Sequence, residues 1–343
     1  MSVNGELRLG LSLGGAQLSG GDLVRLAVQA EQLGYDSIWS SEAWGLDAFA
    51  PLAFIASATT SIGLGTAIAQ IYARTPTATA MTALTLQGLS GGRLQLGLGV
   101  SGPQVVEGWH GVAYGNPLAK TREYVEVLRL AMSADRRVEY DGAEFHIPYA
   151  GPDATGLGKP LRSTIRGVGP VPILIAAIGP KNVSLAVEVG DGILPYLWSP
   201  SRWETAWGEE LARAKPEFAV APTVLVAIDD DIDRARAAVR PRIALHVGGM
   251  GARGRNFYHS LVTRYGYVSE AEEIQDRFLS GDRDGANSAV TDEMVDDLAL
   301  VGPTQRIAER LMAWRSGPVT TIIAEPHDEH SLQEFARLWR PEG

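Results

Sequence analysis

The sequence predicts an α/β protein of the (β/α)8 TIM-barrel type, with insertions after strand 4 and between strands 7 and 8. Three observations carry this. Apolar runs of strand length alternate with helix-periodic segments along the chain, the pattern of parallel sheets. Eight such runs are found. With 343 residues and 45% apolar composition, the chain can fill one large core.

LRLGLSL (7–13) is the first strand. After it Leu23, Leu26, Ala27, Ala30 and Leu33 recur at three- and four-residue spacing, predicting an amphipathic helix that Gly34 ends in a left-handed conformation. DSIWS (36–40) is the second strand, followed by a helix near 48–58. IGLGTAIA (62–69) is the third, a helix runs from Pro76 to Leu89, and LQLGLGV (94–100) is the fourth. Residues 101–170 then break the rhythm with a Gly-rich loop, a helix about 120–133 and a hairpin in RRVEYDGAEFHI, whose Asp141-Gly142 pair suits a type I′ turn. PILIAAI, DGILPY, FAVAPTVLVAI and VTTIIAE (319–325) supply strands five to eight. Between the last two lies a polar, Gly-containing helical stretch, 249–300, expected as a second insertion or lid. In GPTQRIAERLMAW, Ile307, Leu311 and Trp314 share one face, and SLQEFARLW is the closing helix. A single domain spanning 1–343 is expected, and an open doubly wound sheet is the competing arrangement.

The formal charge of -10 argues against sequence-independent binding to nucleic acid, which needs clustered cations. The absence of cysteine excludes disulfides, thiolate metal sites and a cysteine nucleophile. MSVNGELRLGLSLGG has no basic region followed by an apolar core, and no run reaches bilayer length, so a cytoplasmic protein acting on small molecules is expected.

In a barrel of this kind the reacting groups sit on the loops after the strands. Those loops, Ser12–Gln17, Ser41–Asp47, Ala69–Arg74, Ser101–His110, Gly179–Asn182, Tyr196–Trp198, Asp229–Asp231 and Glu325–His330, are rich in Gly, Ser and Trp. Glu42 and Glu107 are the one pair that a glycosidase reading would use. HDEH (327–330) places His327 and His330 near Glu325 at a spacing that can ligate a metal, although Asp328 and Glu329 also suit a helix start; no metal is expected. No Gly-x-Ser-x-Gly elbow exists, and LGLGVSG lacks the third glycine of the dinucleotide fingerprint. IGPKN (178–182) reads equally as a tight turn with Pro180 at the first helical position, or as exposed amides beside Lys181 and Asn182 that would take a phosphate.

Five stretches in this order, GYDSIWSSEAWGLDAFAPLAFIA, IGLGTAIAQIYARTP, LSGGRLQLGLGVSGPQVVEGWHG, ILIAAIGPKN and LVGPTQRIAERL, resemble the luciferase-like monooxygenase superfamily, and within it the actinobacterial oxidoreductases that use coenzyme F420. They span residues 34 to 311. The resemblance implies hydride transfer between F420 and a small organic substrate (C=C, C=N or C=O/alcohol), or an FMN-dependent monooxygenase as the alternative, and a homodimer. It places a flavin-like ring in the barrel mouth against a non-prolyl cis peptide, here Ala67–Ile68, with Ser12, Glu42 and Gln70 as neighbours. The phosphate would lie on Ala176, Ala177, Ile178, Gly179, Pro180, Lys181 and Asn182, and Val100, Ser101, Gly102, Gln104, Val105 and Val106 would complete the cradle. Relatives carry a histidine directly after the acidic residue that ends strand two; here the pair is Glu42-Ala43. Glu42 and His110 are therefore the candidates for proton transfer, Glu42 with its pKa raised if the ring buries it. Tyr72 and Gln70 are expected to bond the substrate or ring edge, and Trp44, Trp109 and Trp198 to wall an apolar pocket or serve packing alone.

Overall fold

Eight parallel strands do form a closed barrel, and its closure depends on one interrupted strand. The computed structural model describes residues 7–14 and 19–340; Gln17, expected in the first loop, lies outside them. The barrel strands are β1 (Arg8–Ser12), β2 (Ser37–Ser40), β3 (Gly63–Thr66) with its continuation β4 (Ala69–Gln70), and β5 (Leu94–Gly99). Beyond a separate hairpin, β6 (Tyr140–Asp141) with β7 (His146–Ile147), come β8 (Ile173–Ile175), β9 (Gly192–Ile193), β10 (Ala219–Val220) and β11 (Thr223–Ile228). An added strand β12 (Ala299–Gly302) precedes the last, β13 (Thr321–Pro326). The order β10-β9-β8-β5-β3-β2-β1-β13-β11-β12 has β10 and β11 at opposite ends, yet both belong to the expected seventh strand. Pro222, which has no N–H to give, separates them. Ala221 N and Thr223 N donate to Ile193 O and Pro195 O on one side, and Ile323 N donates to Pro222 O on the other, so the ladder runs on through the break and the ring closes.

The interior is set by one large side chain. Trp39, on β2, is fully buried with Leu174, Leu194, Ala221 and Ile323, and Ala67 and Ile68 pack on that floor. A Cβ at Gly65 would stand 2.1 Å from the indole, and one at Gly97 would stand 1.9 Å from the Thr66 carbonyl oxygen, so the neighbouring strands need glycine at both positions. Outside the ring, helices cover the sheet as the periodicity predicts. In α1 (Gly20–Gln32) the inward residues are Ala27 and Ala30, and Gly34 beyond it takes φ +82°. The helices α2 (Ala50–Ala56), α3 (Pro76–Leu89), α4 (Pro103–Gly108), α5 (Pro117–Met132), α6 (Pro180–Val189) and α7 (Trp203–Leu211) follow in chain order.

Two local expectations need correction. The third strand is not continuous: the Ala67–Ile68 peptide is cis, β3 stops before it, and β4 resumes after it beside β5. The hairpin turn is not type I′ at Asp141-Gly142, because neither residue has positive φ. Instead the Glu123 carboxylate accepts from Ala143 N, Glu144 N and Phe145 N at 2.8, 2.8 and 3.1 Å, supplying from the side what left-handed residues would have supplied within the turn. The second insertion is entered through α8 (Ile232–Ala244) and a π-helical turn, Leu245–Gly249. It contains α9 (Phe257–Arg264), α10 (Val268–Ser280), α11 (Arg283–Ala289) and α12 (Asp292–Leu298), and ends in β12, which pairs with β11. The chain then forms α13 (Thr304–Arg315), with Ile307, Leu311 and Trp314 buried, and α14 (Glu329–Trp339). Among the described residues no helix is long and apolar enough to cross a membrane.

The floor of the ring is tied to α1 by Glu31. One oxygen accepts from Ser61 N (2.6 Å), Ile62 N (2.9 Å), Thr60 N (3.0 Å) and Ser61 Oγ (2.8 Å). Burial pushes this carboxyl up, but the four donors outweigh it and hold its pKa at about 2. A carboxylate held below its unfolded value adds stability that is fully present above about pH 4.5 and lost as the pH falls toward 2. Glu31→Gln is expected to lower stability by about 2 kcal/mol at pH 7, and by less at pH 3. Urea unfolding at the two pH values checks this; equal stability of variant and parent at pH 7 would refute it.

Candidate active site

The loops after β2, β3 and β5 meet in one hydrogen-bonded chain. Glu42 lies two residues beyond β2, and its N–H donates to Ile68 O (3.1 Å), directly across the cis bond. Its Oε2 accepts from Gln70 N (3.0 Å), and Arg74 Nη1 reaches both carboxylate oxygens at 2.8 and 2.9 Å. Arg74 also pairs with Asp47. Burial works against the Arg74 cation, but the two carboxylates outweigh it and hold its pKa above the ordinary value. Gln70 Nε2 donates to the carbonyls of Glu42 (3.3 Å) and Ala43 (2.8 Å), which turns its amide oxygen toward His110 Nε2 at 3.1 Å. An amide oxygen only accepts, so His110 donates from Nε2, and Nδ1 is left with the lone pair of the neutral ring.

This geometry sorts the residues that the sequence singled out. Both oxygens of Glu42 accept from N–H groups, Oε1 from Arg74 and Oε2 from Arg74 and Gln70. Glu107 is exposed and accepts from Tyr114 N at 3.4 Å, so the two acids of the glycosidase reading serve separate contacts. The Tyr72 hydroxyl donates to the Tyr114 carbonyl at 2.5 Å, and its ring stacks on Tyr114. Trp44 and Trp109 are 58% and 65% exposed, whereas Trp198 is buried between Trp203 and Trp207 with ring centroids 5.9 and 5.1 Å away. Trp198 is thus held in a tryptophan stack rather than standing free as a wall. At the eighth loop, Asp328 caps α14 by accepting from Ser331 N (2.7 Å), and Glu325 pairs with Arg242 (2.8 Å).

The loops after β5 and β8 both run into helix starts that no side chain caps. Val100 and Ser101, the latter at φ +57°, lead to Gly102 before α4, where Gln104 is exposed, Val105 half-buried and Val106 buried. Ala176, half-buried, Ala177, buried, and Ile178 lead to Gly179 before α6. Nothing lies within 4 Å of where a Gly179 Cβ would be. Pro180 has no N–H, which leaves the first-turn amides of exposed Lys181 and half-buried Asn182 without acceptors within the helix. The loop is fixed from behind, since Ile178 O accepts from Trp207 Nε1 (3.0 Å) and Arg264 Nη2 (2.6 Å). Ser12, half-buried at the end of β1, accepts from Gly14 N through Oγ at 3.1 Å.

Across the mouth a second constellation appears that sequence reasoning missed as a unit. Tyr196 and Glu325 stand two residues beyond Leu194 and Ile323 of the barrel floor, Glu325 on β13 and Tyr196 past the end of β9, where it bridges to Thr223 of β11. Arg242, His246 and Tyr258 come from α8, the π turn and α9. The Tyr196 and His246 rings are 4.4 Å apart, and the Tyr258 ring lies 4.9 Å from His246. His246 Nδ1 donates to Arg242 O at 2.7 Å, which fixes its tautomer. Burial, with the Arg242 cation beside it, outweighs that bond and takes the His246 pKa down to about 4. The alternation of the strands could have flagged Tyr196 and Glu325, but the other three sit on an insertion with no strand period to read.

The chain is similar to known proteins along most of its length. Residues 7–321 match the family model described as luciferase-like monooxygenase. A protein of Mycobacterium tuberculosis assigned by name to the coenzyme F420-dependent oxidoreductases is 40% identical over 343 residues, covering 97% of this chain and 99% of that protein. The 5,10-methylenetetrahydromethanopterin reductase of Archaeoglobus fulgidus is 30% identical, with 86% of each chain covered. Among solved structures, the coenzyme F420-dependent tetrahydromethanopterin reductase of Methanopyrus kandleri superposes with a TM-score of 0.77 at 23% identity, covering 97% of this chain and 98% of that one.

Proposed function

Because the chain belongs to the luciferase-like monooxygenase family, we propose that it is an F420-dependent oxidoreductase that moves a hydride between the cofactor and a small organic substrate bearing C=C, C=N or C=O, or the matching alcohol. The observation that carries this reading is the loop after β8, whose open space at Gly179 and uncapped α6 start fit an anionic tail. There the amides of Lys181 and Asn182 would bind a phosphate, helped by the positive end of α6 and the Lys181 charge. When bound, the cofactor supplies the redox chemistry. The chain's own residues orient and exclude water: Ala67 and Ile68 back the mouth beside Glu42, and Gln70 holds His110 at Nε2 so that Nδ1 gives or takes the substrate's proton. Glu42 acts as the anchor of that chain, since Arg74 and Gln70 occupy its oxygens. On the same reading the enzyme is one barrel domain with insertions at about 101–170 and 249–300, working in the cytoplasm as a homodimer.

Titration of the purified protein with F420, followed by absorbance and fluorescence, tests the proposal, with FMN as the competing ligand. Saturable F420 binding and weak FMN binding are expected. FMN binding with oxygen consumption would replace the proposal with a monooxygenase. Gly179→Leu is expected to weaken F420 binding at least about tenfold by filling the approach to the amides, and an unchanged affinity would remove this loop from the site.

A further inference from the structure

We propose that Tyr196, Arg242, His246, Tyr258 and Glu325 form the substrate-recognition end of the barrel mouth, and that they select an uncharged hydroxyl or carbonyl group over a carboxylate. This rests on the proposed redox function for what happens to the substrate, but not for what binds. The first support is two orphaned atoms. Tyr196 Oη and Arg242 Nε are both buried, and although the two side chains stand against each other, neither atom makes a hydrogen bond of sound geometry among the described residues. Groups of this kind are rarely left unpaired in a native fold, and two at one place point to a ligand that completes them. The second is position. Tyr196 and Glu325 each stand two residues beyond Leu194 and Ile323 of the apolar floor, and Ala67 and Ile68, which pack on that same floor, follow β3, which the strand order sets across the ring from β9 and β13. A substrate lying between the two faces would put its polar end at this cluster.

The charge balance sets the class of group. Arg242 is the cation, and Glu325 sits on it at 2.8 Å. His246 adds no second cation near neutral pH, because burial keeps it unprotonated down to about 4. Burial also pushes the Tyr196 phenol well up, with Glu325 adding to the effect, and pushes Tyr258 up to about 12, so both hydroxyls stay protonated. The cluster is therefore neutral. An acid entering it would lose its water and meet a carboxylate whose arginine is already taken. A hydroxyl or carbonyl meets what it needs: O–H donors on the tyrosines, an N–H on Arg242, and the bare acceptor at His246 Nε2.

The test uses three matched probes on the full-length protein, with and without F420: cyclohexanol, cyclohexanone and cyclohexanecarboxylate, followed by ligand-observed NMR. The alcohol and ketone are expected to bind at least about tenfold tighter than the acid. Tyr196→Phe, which removes one oxygen and keeps the ring, is expected to weaken the neutral probes about fivefold. Glu325→Gln frees the arginine and is expected to reverse the order in favour of the acid. Tighter binding of the acid to the parent protein, neutral-probe binding unaffected by Tyr196→Phe, or no binding of either neutral probe would overturn the assignment. F420 binding is read separately by absorbance, so loss of the cofactor reading with the probe pattern intact, or the converse, identifies which of the two has failed.

Discussion

Gly97→Ala is expected to cost more than about 4 kcal/mol and to leave little folded protein at 37 °C. The added methyl carbon would stand 1.9 Å from the Thr66 carbonyl oxygen and 2.3 Å from Leu194 Cδ1, and the first of these is backbone that cannot swing away. The contact is close because the Thr66 side chain replaces the sheet ladder where β3 ends. Its hydroxyl donates to Gly97 O at 2.7 Å and accepts from Gly97 N at 2.9 Å, welding β3 to β5 next to the cis bond. Gly208→Ala, on α7 with its nearest neighbour at 3.6 Å, is the control and is expected to be neutral or slightly stabilising. Urea unfolding of both variants decides the matter: a Gly97→Ala midpoint equal to the parent's would mean the strands do not approach as described.

Arg74→Met is expected to destabilise by about 3 kcal/mol and to weaken cofactor binding as well. Removing the guanidinium strands Glu42, whose side chain is only 10% exposed, and frees Asp47. The loss should pass along the chain, because Gln70 donates its N–H to the Glu42 carboxylate and its amide to the Glu42 and Ala43 carbonyls, and His110 takes its bearing from Gln70. Arg74→Lys keeps the charge but not the fork, and should recover part of the stability. In the double variant Glu42→Gln with Arg74→Met, the carboxylate is gone and the penalty should shrink; strictly additive costs would show that the pair is not coupled.

How much of this was legible in the sequence follows physical lines. The helix Pro76–Leu89 is read to its ends because Pro76 opens it, Thr75 caps it through Ala78 N, and Gly91 and Gly92 follow its last turn at positive φ. All eight barrel strands are visible because each is an apolar run between polar turns. What local pattern cannot show is an interaction that replaces local chemistry from a distance. Glu123 builds the 143–145 turn from another element, so the Asp141-Gly142 signal misleads. β12 is four apolar residues joined to the end of α12, and periodicity does not separate them. Glu42, Gln70 and His110 were singled out individually, but their order along one hydrogen-bonded chain, and the part of Arg74 in it, required coordinates. The break at Ala67–Ile68 came only from family resemblance, since nothing in GTAIAQ marks it.

The ladder between β1 and β13 sets residues 8–11 against residues 321–324. This pairing spans nearly the whole chain whereas most other ladders join strands that follow one another, so the loop-closure entropy of bringing these two segments together is expected to be met late, when most of the other strands are already in place. Until then β1 and β11 are bare edges, each able to recruit a foreign strand. The vulnerable moment for this protein is therefore the nearly finished ring, and refolding should be slow and sensitive to protein concentration.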